Sequence, residues 1–322
     1  MCIRDSSGGL LDQLRLENGR LVRKRTTVKA VNNVSFSIRP RETIGVVGES
    51  GCGKSTLARA VLGIYPPNSG RILYRGRQIN GISHEAMLPY RKKMQMIFQD
   101  PYASLNPRMT VQRTLEEPVR FHNRSLSTAE VTDKVAQVME QVGVDPKWAA
   151  RYPHEFSGGQ RQRISIARAL MVDPEFIVAD EPVSALDVSI QAQILNLLMS
   201  AQAERGLTYM FITHDLSVVK HISSRVAVMY LGTICELAPT GELFRSPRHP
   251  YARALLSAIP KLGERNPKHI RLKGEVPTPI DLPSGCVFHA RCHYARDICR
   301  REPPTLREVG ENHQVACFFP VQ

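Results

Sequence analysis

The chain has 322 residues, room for about two domains and a sizeable core, and its 42% hydrophobic and 23% charged content is that of an ordinary soluble globular protein. No apolar run reaches the ~18 residues of a membrane span, the charged start shows no signal-peptide pattern, and seven cysteines are too few and too uneven for a secreted disulfide scaffold, so a cytoplasmic chain is expected. The net charge of +13 sits at the ends, with 8 basic against 3 acidic residues in 1–40 and 12 against 7 in 246–322; without interleaved aromatics or a binding-module motif this points to solvated ends near an anionic membrane surface or an acidic partner, not to nucleic acid.

Residues 1–27 open with Met1-Cys2-Ile3-Arg4-Asp5-Ser6, which shows no periodicity and no link to a core. They are expected to be poorly defined, as a truncated start or a translation artefact. Val31, Val34, Phe36 and Ile38 then suggest a strand from Val28 to Ile38 and a turn at Arg39-Pro40-Arg41. A short apolar run, Thr43 to Val47, leads into Gly48-Glu49-Ser50-Gly51-Cys52-Gly53-Lys54-Ser55-Thr56, and a helical pattern follows from Leu57 to Leu62. That is strand, glycine-rich loop and helix, the context in which G-x-x-x-x-G-K-[ST] binds nucleotide phosphates. The glycines let successive N–H groups turn inward and the helix aims its positive end at the same oxygens. Lys54 adds a point charge for the β- and γ-phosphates, and the Ser55 hydroxyl can ligate Mg²⁺.

Arg71 to Tyr74 with Arg75-Gly76 reads as a strand and tight turn, and Lys93 to Phe98 as a strand that ends at Gln99 before Asp100-Pro101. The stretches 111–120 and 128–142 have helical period, so a helical subdomain, about 101–165, is inserted into the α/β core. Ser157-Gly158-Gly159-Gln160 opens a helix, 161–170, and forms a second anion-binding end. The apolar strand Phe176 to Ala179 runs into Asp180-Glu181, a helix is expected over 190–203, and the strand Tyr209 to Thr213 ends at His214. A hairpin is expected over 226–236. Asp180 at a strand end can hold Mg²⁺ through water, Glu181 can take a proton from an attacking water, Gln99 can bridge metal and water, and His214 can reach the γ-phosphate. A lone Gln or His at a strand end would more often be structural.

In this order the motifs resemble the ATP-binding subunits of ABC transporters, over residues 28 to about 242. The resemblance identifies Gly48–Thr56 as the phosphate loop, Gln99 as the Q-loop, Ser157-Gly158-Gly159-Gln160 as the signature, Asp180-Glu181 as the acidic pair, Ser184-Ala185-Leu186-Asp187 as the D-loop and His214 as the switch. It implies an α/β P-loop NTPase core of ABC type over 28–245, with the helical subdomain and a small Cys-containing C-terminal extension over 246–322. It also implies two such subunits around two ATP and Mg²⁺, each signature serving the partner's γ-phosphate. An aromatic residue that stacks on adenine in the family has no counterpart here, since no Phe, Tyr or Trp precedes Phe36.

Gln99 to Arg108, Arg151-Tyr152-Pro153-His154-Glu155, His249-Pro250-Tyr251 and the late cysteines are similar to the oligopeptide/dipeptide permease ATP-binding subunits, to the F-type partner of the two. What that implies is ATP-driven peptide import, with a second ATP-binding subunit as a heterodimer partner, two transmembrane permease subunits, an external peptide-binding protein, and a peripheral place on the cytoplasmic face of the plasma (inner) membrane. Nickel importers are close relatives. A non-transport ABC ATPase acting on nucleic acid is the competing class, but only 57 residues separate Gln99 from Ser157, without sustained heptads.

The tail is proline-rich, with Pro260, Pro267, Pro277, Pro279 and Pro283, and is expected to wrap the core or form a small separate unit. Its Cys286, Cys292, Cys299 and Cys317 do not have common zinc or ferredoxin spacings, which leaves buried thiols and a metal site both open. The resemblance implies a [4Fe–4S] cluster on these four.

Overall fold

The computed structural model describes residues 2–17, 20–259, 269–280 and 282–321, with the side chains of residues up to 27 outside the description. Pro260 and Pro267 lie outside the described residues. The chain divides into two compact units: Met1–Ser37, Ile44–Gly81 and His214–Gln322 form one, Ile38–Thr43 and Ile82–Thr213 the other.

The first unit begins with an antiparallel backbone pair, Cys2–Glu17 against Arg20–Ser35, running from Cys2↔Ser35 to Glu17↔Arg20 with register shifts between Ser6 and Ser7 and between Ser7 and Leu10. Ser69–Arg71 pairs with its outer end through Cys2↔Arg71. Pairing thus starts well before residue 28, and the strand expected to reach Ile38 ends at Ser35.

The sheet of this unit is built on Thr43–Val47, which is buried throughout and runs parallel to Arg225–Tyr230. A strand buried on both faces reads as a continuous apolar run, as Thr43–Val47 does. The helix Leu216–Ile222 packs onto it at Gly45, where a Cβ would stand 2.6 Å from Val219 Cγ1. Arg225–Tyr230 and Thr233–Pro239 form the expected hairpin. The tail then joins the same sheet: His313–Val315 pairs with Thr233–Pro239, and Arg307–Gly310 pairs with His313–Val315. Tyr251 of the helix Pro250–Ser257, together with Phe288, packs into the core around Val47, Val228 and Tyr230. The proline-rich tail is thus poor in long elements and rich in core contacts.

In the second unit Met94–Ile97, Phe176–Asp180 and Thr208–Ile212 lie side by side and parallel. The helices Val111–His122 and Thr128–Gln141 bury Val111, Leu115 and Val119, and Val131, Val135 and Val138, at helical spacing. Each has a side-chain cap, from Thr110 and from Ser127, the latter in a reciprocal box with Glu130. Gly158–Leu170 and Val188–Arg205 complete this unit's long helices. No helix among the described residues is long and apolar enough to cross a membrane.

Candidate nucleotide site

The strand Thr43–Val47 delivers the glycine-rich loop, and the helix Lys54–Val61 leaves it. Two of its glycines are demanded by both conformation and space. Gly48 has φ 155°, and a Cβ there would stand 2.2 Å from the Met229 carbonyl oxygen; Gly53 has φ 100°, and a Cβ would stand 1.9 Å from that of Ala30. Lys54, only 5% exposed, donates from Nζ to the Gly48 carbonyl at 2.8 Å and the Glu49 carbonyl at 3.0 Å. Its charge therefore stands inside the curl of the loop. Cys52 is buried beside it, and burial pushes its thiol up, which keeps it a neutral packing group. Ser55 and Thr56 follow on the first turn of the helix. His214 is exposed in the same unit, just ahead of the helix Leu216–Ile222, which Asp215 caps.

Glu49 is held from two sides by the C-terminal extension. Arg291 donates from both terminal nitrogens to its carboxylate, at 2.7 and 3.1 Å, and the Tyr251 hydroxyl accepts its backbone N–H at 3.0 Å. Glu49 and Arg291 are 242 positions apart, and nothing in the local pattern of either residue marks the pair.

The second unit carries the other motif residues. Asp180 is 2% exposed at the end of the buried strand Phe176–Asp180. Glu181, next to it, adopts φ 47° and donates its N–H to the Ile212 carbonyl at 2.9 Å, so the turn away from the sheet begins in the left-handed region. Gln99 donates from Nε2 to Glu181 Oε2 at 3.0 Å. The chemistry is a carboxylate held by an amide at the ends of two neighbouring strands.

Ser157 caps the helix Gly158–Leu170, accepting from the Gln160 N–H while Gln160 accepts from the Ser157 N–H in a capping box. The Gln160 side chain is therefore engaged in the cap. Behind the turn, a Cβ on Gly159 would stand 2.6 Å from Ile190 Cγ2, and one on Gly158 would touch Leu186 at 3.7 Å. The stretch Ser184-Ala185-Leu186-Asp187 thus backs the Ser157–Gln160 turn, with Ser184 bonded to the Glu181 carbonyl and Val188 beyond it 81% exposed. One link was missed from sequence: Arg161 donates to the Pro153 and His154 carbonyls and lays its guanidinium 3.9 Å over the Tyr102 ring. This fastens the start of the helix Gly158–Leu170 to the segment that follows Gln99.

Cys286, Cys292, Cys299 and Cys317, distant in sequence, line one cavity of about 20 Å³ with Phe288, His289 and Phe318. All four are free thiols. Burial pushes Cys286 up to about 11 and raises Cys292 and Cys317 as well. Four thiols around one apolar cavity are the right donors for an iron–sulfur group. Yet among the described residues no three His, Cys, Asp or Glu side chains stand together so as to hold a metal ion, and the cavity has room for about one water. Among the described residues the four cysteines thus share a cavity without forming a group that could hold a metal ion.

The profile of the ABC transporter family matches residues 31–184, and that of the oligopeptide/dipeptide transporter C-terminal region matches residues 235–299. The oligopeptide transport ATP-binding protein AppF of Bacillus subtilis (strain 168) is 53% identical over 308 residues, covering 94% of this chain and 93% of the relative. This chain belongs to the ABC transporter family. Within the family it is also similar to the oligopeptide transport ATP-binding protein OppF of Escherichia coli (strain K12), 51% identical over 295 residues, 91% of this chain and 88% of that protein. Its fold is that of ABC ATP-binding cassettes. The dimeric cassette MJ0796, solved in a post-hydrolysis state with ADP and Pi, superposes with a TM-score of 0.62 at 25% identity, covering 74% of this chain and 98% of that one.

Proposed function

We propose that this chain is the ATP-hydrolysing subunit that powers import of di- and oligopeptides through an ABC transporter. The observation that carries the reading is the succession, on one chain, of a glycine-rich loop with a buried lysine in its curl and a C-terminal region of the oligopeptide/dipeptide type. Relatives of similar length, alike over more than nine-tenths of this chain, are oligopeptide transport ATP-binding proteins.

In this reading Gly48–Thr56 bind the nucleotide phosphates, with Lys54 on the β- and γ-phosphates. Ser55, Gln99 and Asp180 are the residues that would hold Mg²⁺, which supplies charge neutralisation at those phosphates. Glu181 takes a proton from the attacking water as its oxygen bonds the γ-phosphorus, and the bond to the bridging oxygen breaks to give ADP and phosphate. His214 contacts the γ-phosphate. Ser157–Gln160 and the D-loop 184–187 face the ATP of a second ATP-binding subunit, in a heterodimer. Two transmembrane permease subunits carry the solute, an external binding protein delivers it, and the chain sits peripherally on the cytoplasmic face of the membrane.

The four tail cysteines are proposed as ligands of a [4Fe–4S] cluster, supported by their convergence, though their cavity of about 20 Å³ would have to widen to take it. Its place would be structural, closing the loop from Cys286 to Cys317. Anaerobic purification should then give a brown protein with about four irons per chain, lost in Cys292→Ser; a colourless, iron-free preparation with a protease-resistant tail leaves four packing thiols.

The transport reading is tested by reconstituting the chain with its co-purifying permease and ATPase partners in vesicles. ATP-dependent uptake of a labelled tripeptide, lost in Glu181→Gln, is the expected result. Uptake of Ni²⁺ without peptide would move the solute assignment, and no membrane partner at all would overturn the reading.

A further inference from the structure

Glu49 lies inside the phosphate loop, and each of its polar groups is engaged. Its carbonyl accepts from Lys54, its N–H goes to Tyr251, and its carboxylate takes the fork of Arg291. Two of these three partners come from the C-terminal extension, and both are well anchored. Tyr251 is buried and packs against Tyr230 and Phe288, with ring centroids 4.7 and 5.4 Å away. Arg291 is buried, donates also to the Tyr230 hydroxyl at 3.4 Å, and its N–H bonds the Phe288 carbonyl. Tyr230 in turn ends the strand that runs parallel to Thr43–Val47. The loop therefore has a rigid post on one side, made of residues that lie far beyond the nucleotide-binding motifs in sequence.

We propose that Arg291 and Tyr251 are positioning residues for the phosphate loop, through which the C-terminal extension sets the affinity for nucleotide. Two physical effects run together. The bidentate pair and the tyrosine hydroxyl fix the backbone at the point where the loop leaves its strand, so that its N–H groups need little reorganisation to meet phosphate. The guanidinium also cancels a carboxylate charge that would otherwise stand beside an incoming polyanion. The inference rests on the reading of Gly48–Thr56 as the phosphate site.

The two effects predict an order among variants. Arg291→Gln loses the brace and leaves the Glu49 charge uncompensated. Glu49→Gln loses the brace but leaves a cation beside the phosphates, so it should be milder. Adding Glu49→Gln to Arg291→Gln should therefore recover part of the loss, whereas independent sites would add. Arg291→Lys keeps the charge without the fork and should fall between parent and Arg291→Gln. Tyr251→Phe removes one hydroxyl and keeps the ring in the core.

The experiment is equilibrium binding of MgATP to the full-length chain, with Lys54→Ala as reference and a thermal melt on every variant. A weakening of about tenfold in Arg291→Gln, partial recovery in the double variant, and a smaller loss in Tyr251→Phe is the expected pattern. If Arg291→Gln does not fold, Glu49→Gln and Tyr251→Phe decide alone: either one weakening ATP while folded supports the brace. Folded variants that bind ATP within about twofold of the parent, with only the melting temperature lowered, would overturn the proposal and leave a structural ion pair. Parent-like ATP binding by Lys54→Ala would instead overturn the phosphate-site reading itself.

Discussion

The side-chain amide of Gln99 donates to the carboxylate of Glu181 at 3.0 Å, joining the loops that leave two adjacent parallel strands. A carboxylate held in this way is aimed, and its aim depends on the partner. Glu181→Gln should retain ATP binding while turnover in the assembled complex falls by about 10²–10⁴-fold, the usual range for a lost general base. Gln99→Ala should lower turnover less, because the base remains and only its orientation is freed. A steady-state ATPase assay beside an equilibrium binding measurement separates the two; parent-rate hydrolysis in Glu181→Gln would remove that residue from the chemistry.

Lys54 satisfies two loop carbonyls with a buried ammonium. Lys54→Ala deletes the charge and leaves the Gly48 carbonyl to find another donor, while the Glu49 carbonyl keeps the Cys52 N–H at 3.3 Å. Nucleotide affinity should drop by at least about tenfold, with the fold retained by far-ultraviolet dichroism.

Ser157 is exposed, so its replacement by arginine meets no wall within this chain. The change removes a helix cap, at about 1 kcal/mol, and places bulk and charge where a second subunit's nucleotide is proposed to approach. Ser157→Arg should bind ATP as the parent does when isolated and block hydrolysis in the complex. Equal hydrolysis in the two complexes would sink the shared-site arrangement.

His249 begins the helix Pro250–Ser257, and its Nδ1 accepts the Tyr251 N–H at 3.1 Å. Burial lowers its pKa from 6.5 to about 3. Folded His249 therefore stays neutral while the unfolded chain takes up a proton below 6.5. Its contribution is intact above pH 6.5 and is lost as pH falls from there toward 3, at a limiting slope of about 1.4 kcal/mol per pH unit. Melting temperature against pH should show this fall in the parent and a flatter curve in His249→Asn, whose amide oxygen can still cap the helix.

Glu236 is 0% exposed and accepts from the Arg248 N–H, the His249 N–H and His313 Nε2. Glu236→Gln must turn an amide NH₂ toward at least one of these donors. A loss of about 3 kcal/mol, read from chemical denaturation, is expected.

Much of this was legible in the sequence because the motif residues sit at element boundaries. Gly48–Ser55, Asp180-Glu181 and Ser157-Gly158-Gly159 each stand where an apolar run or a helix begins or ends, and the structure places them at those junctions. The pairing of Cys2–Glu17 with Arg20–Ser35 escaped because polar and charged residues dominate both stretches and no sustained apolar alternation marks a strand. Contacts such as Glu49–Arg291, Tyr102–Arg161 and Glu236–His313 join residues far apart in the chain and depend on the tertiary fold alone. The cysteines were recognisable as a set, but their spacing says nothing of the distance between their sulfurs.

The unit that holds the glycine-rich loop 48–56 is assembled from three separate stretches of chain, the last beginning at His214. On a ribosome the strand Thr43–Val47 emerges long before Arg225–Tyr230, its parallel neighbour in that unit. At typical synthesis rates the interval of about 180 residues lasts on the order of ten seconds or more. During that time residues 82–213 can emerge and condense as one continuous piece, while the loop still lacks the strand beside it and Arg291 does not yet exist. Nascent chains arrested before residue 225 should therefore carry a folded second unit and a loop not yet shaped to grip nucleotide, so that ATP enters only the finished subunit.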